Sequence, residues 1–310
     1  MVRAFPMKDP TFLLLLITTC VALGVFLAGC VFEFMGRRGE LGGVVVSEGD
    51  EVSEVGGVVP PPLPGSGVEV WYYRWTDWLW ALVICGFFVG SSLAGLAMAK
   101  EDAGEVDLGA LEAGDLVAGI VMQLMFAGAT ALVVVKRVSL VRWLGLRWPG
   151  WAWVMVIAPG ALFGMWTLGA VLQGVGYMGW LESLGVETQQ DTVRLLHEAK
   201  DPMVIVMMGV MAVLVAPVCE EVIFRGFLYP LAKRYAGVWA AVISSGLLFA
   251  VAHPSLMALL PLAVLGMGLA VIYERTRSIW APIAVHAVFN GATVAIQLMI
   301  RYEVIPMPEM

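Results

Sequence analysis

Long apolar segments recur along the whole chain, separated by shorter polar stretches. Most are close to the roughly 20 residues that a helix needs to cross about 30 Å of hydrocarbon. The segments of alternating polarity that mark transmembrane β-strands do not occur. Backbone polar groups in lipid must be paired internally, so bundled helices are the spanning structure that remains. The segments lie at 11–34, 77–99, 115–135, 151–177, 202–224, 238–253, 256–273 and 279–300.

This pattern predicts an all-α, polytopic transmembrane helical bundle of about eight helices. Composition agrees, since 60% of the 310 residues are hydrophobic and only 14% are charged, outside the usual balance of a soluble domain. We therefore expect a multi-pass protein of the cell membrane whose environment is the lipid bilayer. We expect no nucleic-acid partner.

Two regions differ in organisation. Residues 1–150 form a predicted N-terminal membrane-spanning region with an acidic, Gly/Pro-rich loop at 36–70. Residues 151–310 have shorter loops and more polar residues inside apolar runs, so catalysis is expected there. The stretch ending at Cys30 resembles a lipoprotein signal, but apolar residues continue past it and an ordinary first helix is expected. His197, in the polar stretch 187–200, is given no role.

Basic residues concentrate in three predicted loops, and alternating crossings place these loops on one face of the membrane. Lysine and arginine in short loops mark the cytoplasmic side, so this face is predicted to be cytoplasmic. The orientation of the first helix is left open. The residues are Lys136, Arg137, Arg142 and Arg147, then Arg225, Lys233 and Arg234, then Arg275 and Arg277.

Ionisable and amide side chains inside spanning helices are the main functional signal. Each ionisable residue at the bilayer centre costs about 2.5–3.5 kcal/mol on insertion scales, so each is a candidate site residue. They fall into three groups on three predicted helices. The groups are Glu220, Glu221 and Arg225, then His253, then His286 with Asn290.

Helical geometry divides the first group. Glu221 and Arg225 are four residues apart, with the acid first, which is the favourable arrangement for an ion pair on one helix face. Glu220 is rotated by about 100° from Glu221, so its carboxylate is predicted to stay free for chemistry. Pro217 removes a backbone hydrogen bond just before it, which leaves space for water.

The other groups follow the same counting. Phe249 and His253 share one helix face, as do His286 and Asn290. Three helices therefore offer polar side chains to a common interior. A glutamate can take a proton from water, an imidazole can orient that water, and an imidazole with a carboxamide can donate to an oxyanion.

These groups suit hydrolysis of an amide bond. Glu220, His253 and His286 could instead bind Zn²⁺ or another divalent metal with a water, and the sequence leaves the metal-free and metal-bound forms open. Common hydrolase, nucleotide-binding and zincin motifs such as GxSxG, the P-loop and HExxH are absent.

The three groups resemble the motifs of the CAAX prenyl endopeptidase and bacteriocin-processing (CPBP, or abortive-infection) family of intramembrane proteases. Glu220-Glu221-x-x-x-Arg225, Phe249-x-x-x-His253 and His286-x-x-x-Asn290 agree with that family in order and internal spacing. The resemblance covers roughly 186–300. Residues 1–150 match only in spanning the membrane.

The resemblance implies an intramembrane endopeptidase that is either glutamate-dependent or metal-dependent. Glu220 would activate water, His253 would position it, and His286 with Asn290 would stabilise the oxyanion, while Glu221 and Arg225 would hold the geometry. The implied partner is a peptide or membrane-anchored protein substrate, and nothing in the sequence indicates a prenyl group.

Two other functions remain open from the sequence. The polar core could belong to a non-catalytic membrane scaffold or a bacteriocin self-immunity protein. An ion-coupled transporter is disfavoured, because paired broken helices in inverted halves are not visible.

Overall fold

The part of the chain described by the computed structural model is helical and contains no β-strand, which confirms the predicted fold class. It comprises residues 10–41, 67–101, 113–184, 186, 199, 201–253 and 255–305. The first helices are α1 (Pro10–Leu41), α2 (Asp77–Glu101), α3 (Ala113–Val134), α4 (Leu140–Trp143), α5 (Val154–Gly174) and α6 (Tyr177–Ser183). They are followed by α7 (Pro202–Val210), α8 (Ala216–Glu221), α9 (Tyr229–Val251), α10 (Leu259–Thr276) and α11 (Trp280–Arg301).

Two π-helical segments flank α8, which carries the paired glutamates. The first, Met211–Val215, joins α7 to α8, and the second, Val222–Leu228, joins α8 to α9. A π-helical turn bonds each N–H to the carbonyl five residues earlier and often occurs at functional sites. Here the N–H of Ala216 donates to Met211 O, and the N–H of Tyr229 donates to Phe224 O.

Seven helical runs within the described residues are long and apolar enough to span a membrane, against about eight predicted. The difference lies in Pro202–Val251, a single 50-residue run that contains both predicted segments 202–224 and 238–253. A straight helix of that length would measure roughly 75 Å. The backbone leaves the helical conformation at Gly237, with φ 78° and ψ 172°, a positive φ that glycine adopts readily.

The three predicted basic groups meet the same short segment, residues 67–74. Arg142 pairs with Glu69 at 2.9 Å, Lys233 donates to Val68 O at 2.9 Å, and Arg277 borders the same cavity as Glu69. They therefore share one face, and the cytoplasmic location of that face stays a prediction. Arg225 was wrongly grouped with these loop residues, because it is buried in the second π segment.

One of the contacts between the N-terminal region and the C-terminal helices is made at a carbonyl of the second π segment. Gly226 O accepts hydrogen bonds from the Tyr73 hydroxyl and from Trp143 Nε1, the latter at 2.8 Å. Pro230 lies four residues after Gly226 and has no N–H to donate to it. The carbonyl is thus left for side chains from elsewhere.

The predicted boundary between 1–150 and 151–310 stays a prediction. Cys30 lies within α1, and His197 lies outside the described residues.

Helices α9 and α10 approach closely at a pair of glycines, Gly246 and Gly266. A Cβ atom on Gly266 would lie 3.0 Å from Gly246 Cα, and one on Gly246 would lie 2.8 Å from the Met267 backbone nitrogen. Small residues at helix interfaces allow such contact inside membranes. The contact places Gly266 O beside the candidate site described below.

Gly246→Ala is expected to destabilise the fold by about 1–3 kcal/mol, because the added methyl group meets backbone rather than a flexible side chain. The thermal unfolding midpoint of the detergent-solubilised protein measures this loss. Gly164→Ala on α5 is the control, since a Cβ there has no heavy atom within 4 Å. An equal midpoint for Gly246→Ala and the unsubstituted protein would contradict the close contact.

Candidate active site

Glu221 and Arg225 form the ion pair that their spacing predicts. Arg225 Nη1 lies 3.0 Å from Glu221 Oε1, and the two side chains are 1% and 0% exposed. The other end of the guanidinium, Nη2, donates to Gly266 O at 3.0 Å. The Arg225 guanidinium carbon also lies 4.5 Å from the centroid of the Phe249 ring, a cation–π contact.

His286, on α11, joins the same carboxylate. Its Nδ1 lies 2.9 Å from Glu221 Oε1, and the imidazole is almost fully buried. Glu221 is paired with Arg225 and accepts hydrogen bonds, so His286 Nδ1 carries the proton. In the neutral ring, Nε2 then presents a lone pair towards Glu220.

His253 is oriented by the end of its own helix. The N–H of His253 donates to Ala250 O at 3.1 Å, so the last turn tightens and Phe249 O is left for the side chain. His253 Nδ1 lies 2.8 Å from Phe249 O. A carbonyl only accepts, which assigns the proton to Nδ1 and a lone pair to Nε2. Pro254, the next residue in the sequence, lies outside the described residues.

Glu220 faces these two lone pairs. Its Oε2 is 3.7 Å from His253 Nε2 and 3.9 Å from His286 Nε2, both longer than a hydrogen bond. Oε2 is buried and has no hydrogen-bond partner within the described part of the protein. Three acceptors therefore converge on one point, and a donor such as water is needed between them.

Asn290 lies one turn beyond His286 on α11, and its Nδ2 donates to Ala212 O at 2.8 Å. The register of the first π segment explains why that carbonyl is available. Ala216 donates five residues back to Met211 O. The next donor in that register would be Pro217, which has no N–H. Pro217 thus leaves the Ala212 carbonyl without a backbone donor, and this carbonyl accepts the hydrogen bond from Asn290. The Asn290 amide retains a second N–H.

The donors suit a divalent metal in type but not in spacing. Two donors of one tetrahedral zinc ion, each about 2.1 Å from it, lie roughly 3.4 Å apart, and the separations from Glu220 Oε2 are longer. No group of three His, Cys, Asp or Glu side chains among the described residues is arranged to hold a metal ion. Glu220, His253 and His286 therefore do not form a metal site as arranged.

A cavity of about 210 Å³ opens beside Glu220 and His253, and its opposite wall comes from α2 and α3. Aromatic side chains, among them Phe88 and Phe126, line most of this wall. It also contains Gln123, which the sequence interpretation missed. The signal was present, since Gln123 is the one carboxamide in the apolar run of α3 and polar groups in such runs carry a cost.

Comparison with known proteins finds similarity in the segment that contains these side chains. Residues 202–292, which include all six predicted site residues, match the family model described as Type II CAAX prenyl endopeptidase Rce1-like. The chain is also 32% identical over 92 residues to a Bacillus subtilis (strain 168) protein named "Putative membrane peptidase YdiL". That similarity covers 30% of this chain and 38% of the relative, so the chain spans well under half of the relative's length. No solved structure matches the chain significantly. Residues 202–292 are therefore similar to the Rce1-like type II CAAX prenyl endopeptidase (CPBP) family.

Proposed function

We propose that the protein is an intramembrane endopeptidase that hydrolyses a peptide bond of a peptide or membrane-anchored protein, with water activated by Glu220. The observation that carries this proposal is the unpartnered Glu220 Oε2, which faces two imidazole nitrogens at 3.7 and 3.9 Å. The similarity of residues 202–292 to a family of membrane peptidases supports it independently.

The convergence of three acceptors suits one water molecule. Such a water donates one hydrogen bond to Glu220 and the second to His253 Nε2, which leaves an oxygen lone pair free to attack a carbonyl carbon. As the C–O bond forms, the water proton passes to the Glu220 carboxylate. The fixed Nδ1–Phe249 O hydrogen bond keeps the His253 lone pair aimed at this water.

The carbonyl oxygen of the substrate then carries negative charge. The second N–H of Asn290 is a donor for it. His286 is a further donor in the form that has bound a solvent proton at Nε2 before the substrate enters and keeps it throughout, with Nδ1 held by the Glu221 carboxylate. The proton on Glu220 passes to the leaving nitrogen as the C–N bond breaks. The products are a carboxylic acid and an amine, and Glu220 regains its charge. The acid then releases its remaining water-derived proton to solvent, which gives the carboxylate.

These side chains are proposed to have two different roles. Glu221 and Arg225 are positioning residues, because they are buried, mutually paired and bonded to His286 and Gly266 O. Glu220, His253, His286 and Asn290 are the residues proposed to meet water or substrate. The exposed apolar surface of the spanning helices supports a location of this chemistry within the bilayer.

Glu220→Gln, which keeps the side-chain shape, is expected to lower kcat/KM by roughly 10²–10⁴, because a carboxamide cannot take the water proton. The reconstituted protein is incubated with a library of apolar peptides, and new termini are identified and quantified by mass spectrometry. Glu182→Gln, on α6 and away from the cavity, is the matched control. Full cleavage by Glu220→Gln would contradict the mechanism, and a phenotype that survives without any cleavage would favour the scaffold or immunity function.

Removal of divalent metal is expected to leave hydrolysis intact, because the three donors are too widely spaced to form a metal site as arranged. Elemental analysis before and after chelation, paired with the same cleavage assay, tests this. Loss of cleavage on chelation that Zn²⁺ restores would instead establish a metalloprotease.

A further inference from the structure

The wall of the cavity opposite Glu220 contains a polar atom that the mechanism so far does not use. Gln123 Oε1 is buried and has no hydrogen-bond partner among the described residues. An unsatisfied buried acceptor costs about 1–3 kcal/mol. Gln123 lies near the middle of α3, an apolar helix outside the family-matched residues 202–292.

The surroundings of Gln123 specify what could satisfy it. The cavity of about 210 Å³ is lined by Gln123, Phe88, Phe126 and Phe224 together with Glu220 and His253. It is smaller than the roughly 300–1,000 Å³ of sites that enclose a small-molecule ligand. It therefore suits a short length of extended chain with an apolar side chain, and such a chain carries backbone N–H donors.

We propose that Gln123 binds the main chain of the substrate, with Oε1 accepting a backbone N–H next to the bond that Glu220 attacks. A carboxamide both accepts and donates, so it can pair with a peptide unit whatever the side chains are. The aromatic wall then selects for apolar residues near the cleaved bond. This inference rests on the proposed peptidase function, and α3 thereby supplies part of the substrate site from outside the family-matched segment.

The test measures binding separately from hydrolysis. A fluorescein-labelled hexapeptide amide of alternating alanine and leucine is titrated onto the Glu220→Gln protein in nanodiscs, with empty nanodiscs as the blank. A series of analogues, each N-methylated at one backbone amide, removes one N–H donor at a time. The same series is titrated onto the double variant that also carries Gln123→Leu.

At least one analogue is expected to bind about fivefold more weakly than the parent peptide when Gln123 is present, the usual worth of one neutral hydrogen bond. That difference should vanish in the Gln123→Leu protein, because the pairwise effect needs both groups. Met122→Leu, a volume-conserving change in the same cavity wall, should leave it unchanged. The same N-methylation pattern with and without Gln123, or no saturable binding at all, would overturn the proposal.

Two further readouts separate this proposal from its alternatives. Gln123→Leu should not lower the unfolding midpoint, since Oε1 has no partner to lose, and a clear fall would make Gln123 a structural residue and overturn the proposal. Hydrolysis of the parent hexapeptide by protein that retains Glu220 reports on the peptidase function alone. Cleavage of the hexapeptide without a Gln123-dependent effect of N-methylation on binding refutes the role of Gln123 only. That effect without cleavage upholds the role of Gln123 and refutes the peptidase function.

Discussion

The site depends on one buried carboxylate, that of Glu221. A charge without solvent is costly unless it is paired and hydrogen-bonded, and Glu221 Oε1 meets this requirement through Arg225 at 3.0 Å and His286 at 2.9 Å. Arg225 extends the network to Gly266 O on α10. Three separate elements are therefore fixed around one atom. Because Glu221 takes these partners, its neighbour Glu220 has none of them, which leaves its carboxylate available for the proposed water.

Proline and π-helical geometry supply the other fixed points. Pro217 and Pro230 each lack the N–H that a helix would use, and each follows a π-helical segment. The carbonyls left available, Ala212 O and Gly226 O, are taken by side chains from distant parts of the chain. The missing N–H groups would weaken an isolated helix. Here the carbonyls that they leave available connect the first π segment to α11 and the second π segment to the N-terminal region.

The sequence could predict interactions between residues that are close along the chain, but not those between residues that are far apart in it. The Glu221–Arg225 pair and the shared face of Phe249 and His253 are local, so helical periodicity sufficed. The His286–Glu221 contact joins residues 65 apart, and the π segments change the register, so both required the packed structure. The run Pro202–Val251 contains the predicted segments 202–224 and 238–253, and the non-helical Gly237 between them separates it into two helices. Gln123 was missed because α3 lies outside the residues that resemble the family, and only the packing of α3 brings this side chain to the cavity beside Glu220.

The division of roles between the adjacent glutamates is the central claim, and the unfolding midpoints of Glu220→Gln and Glu221→Gln measure it without any substrate. Glu221→Gln leaves Arg225 with an uncompensated buried charge and should lose about 3–5 kcal/mol of stability. Glu220→Gln removes an unpartnered acidic oxygen and should unfold at the same temperature as the unsubstituted protein, or a higher one. An equal fall in both midpoints, or a larger fall for Glu220→Gln, would contradict the account.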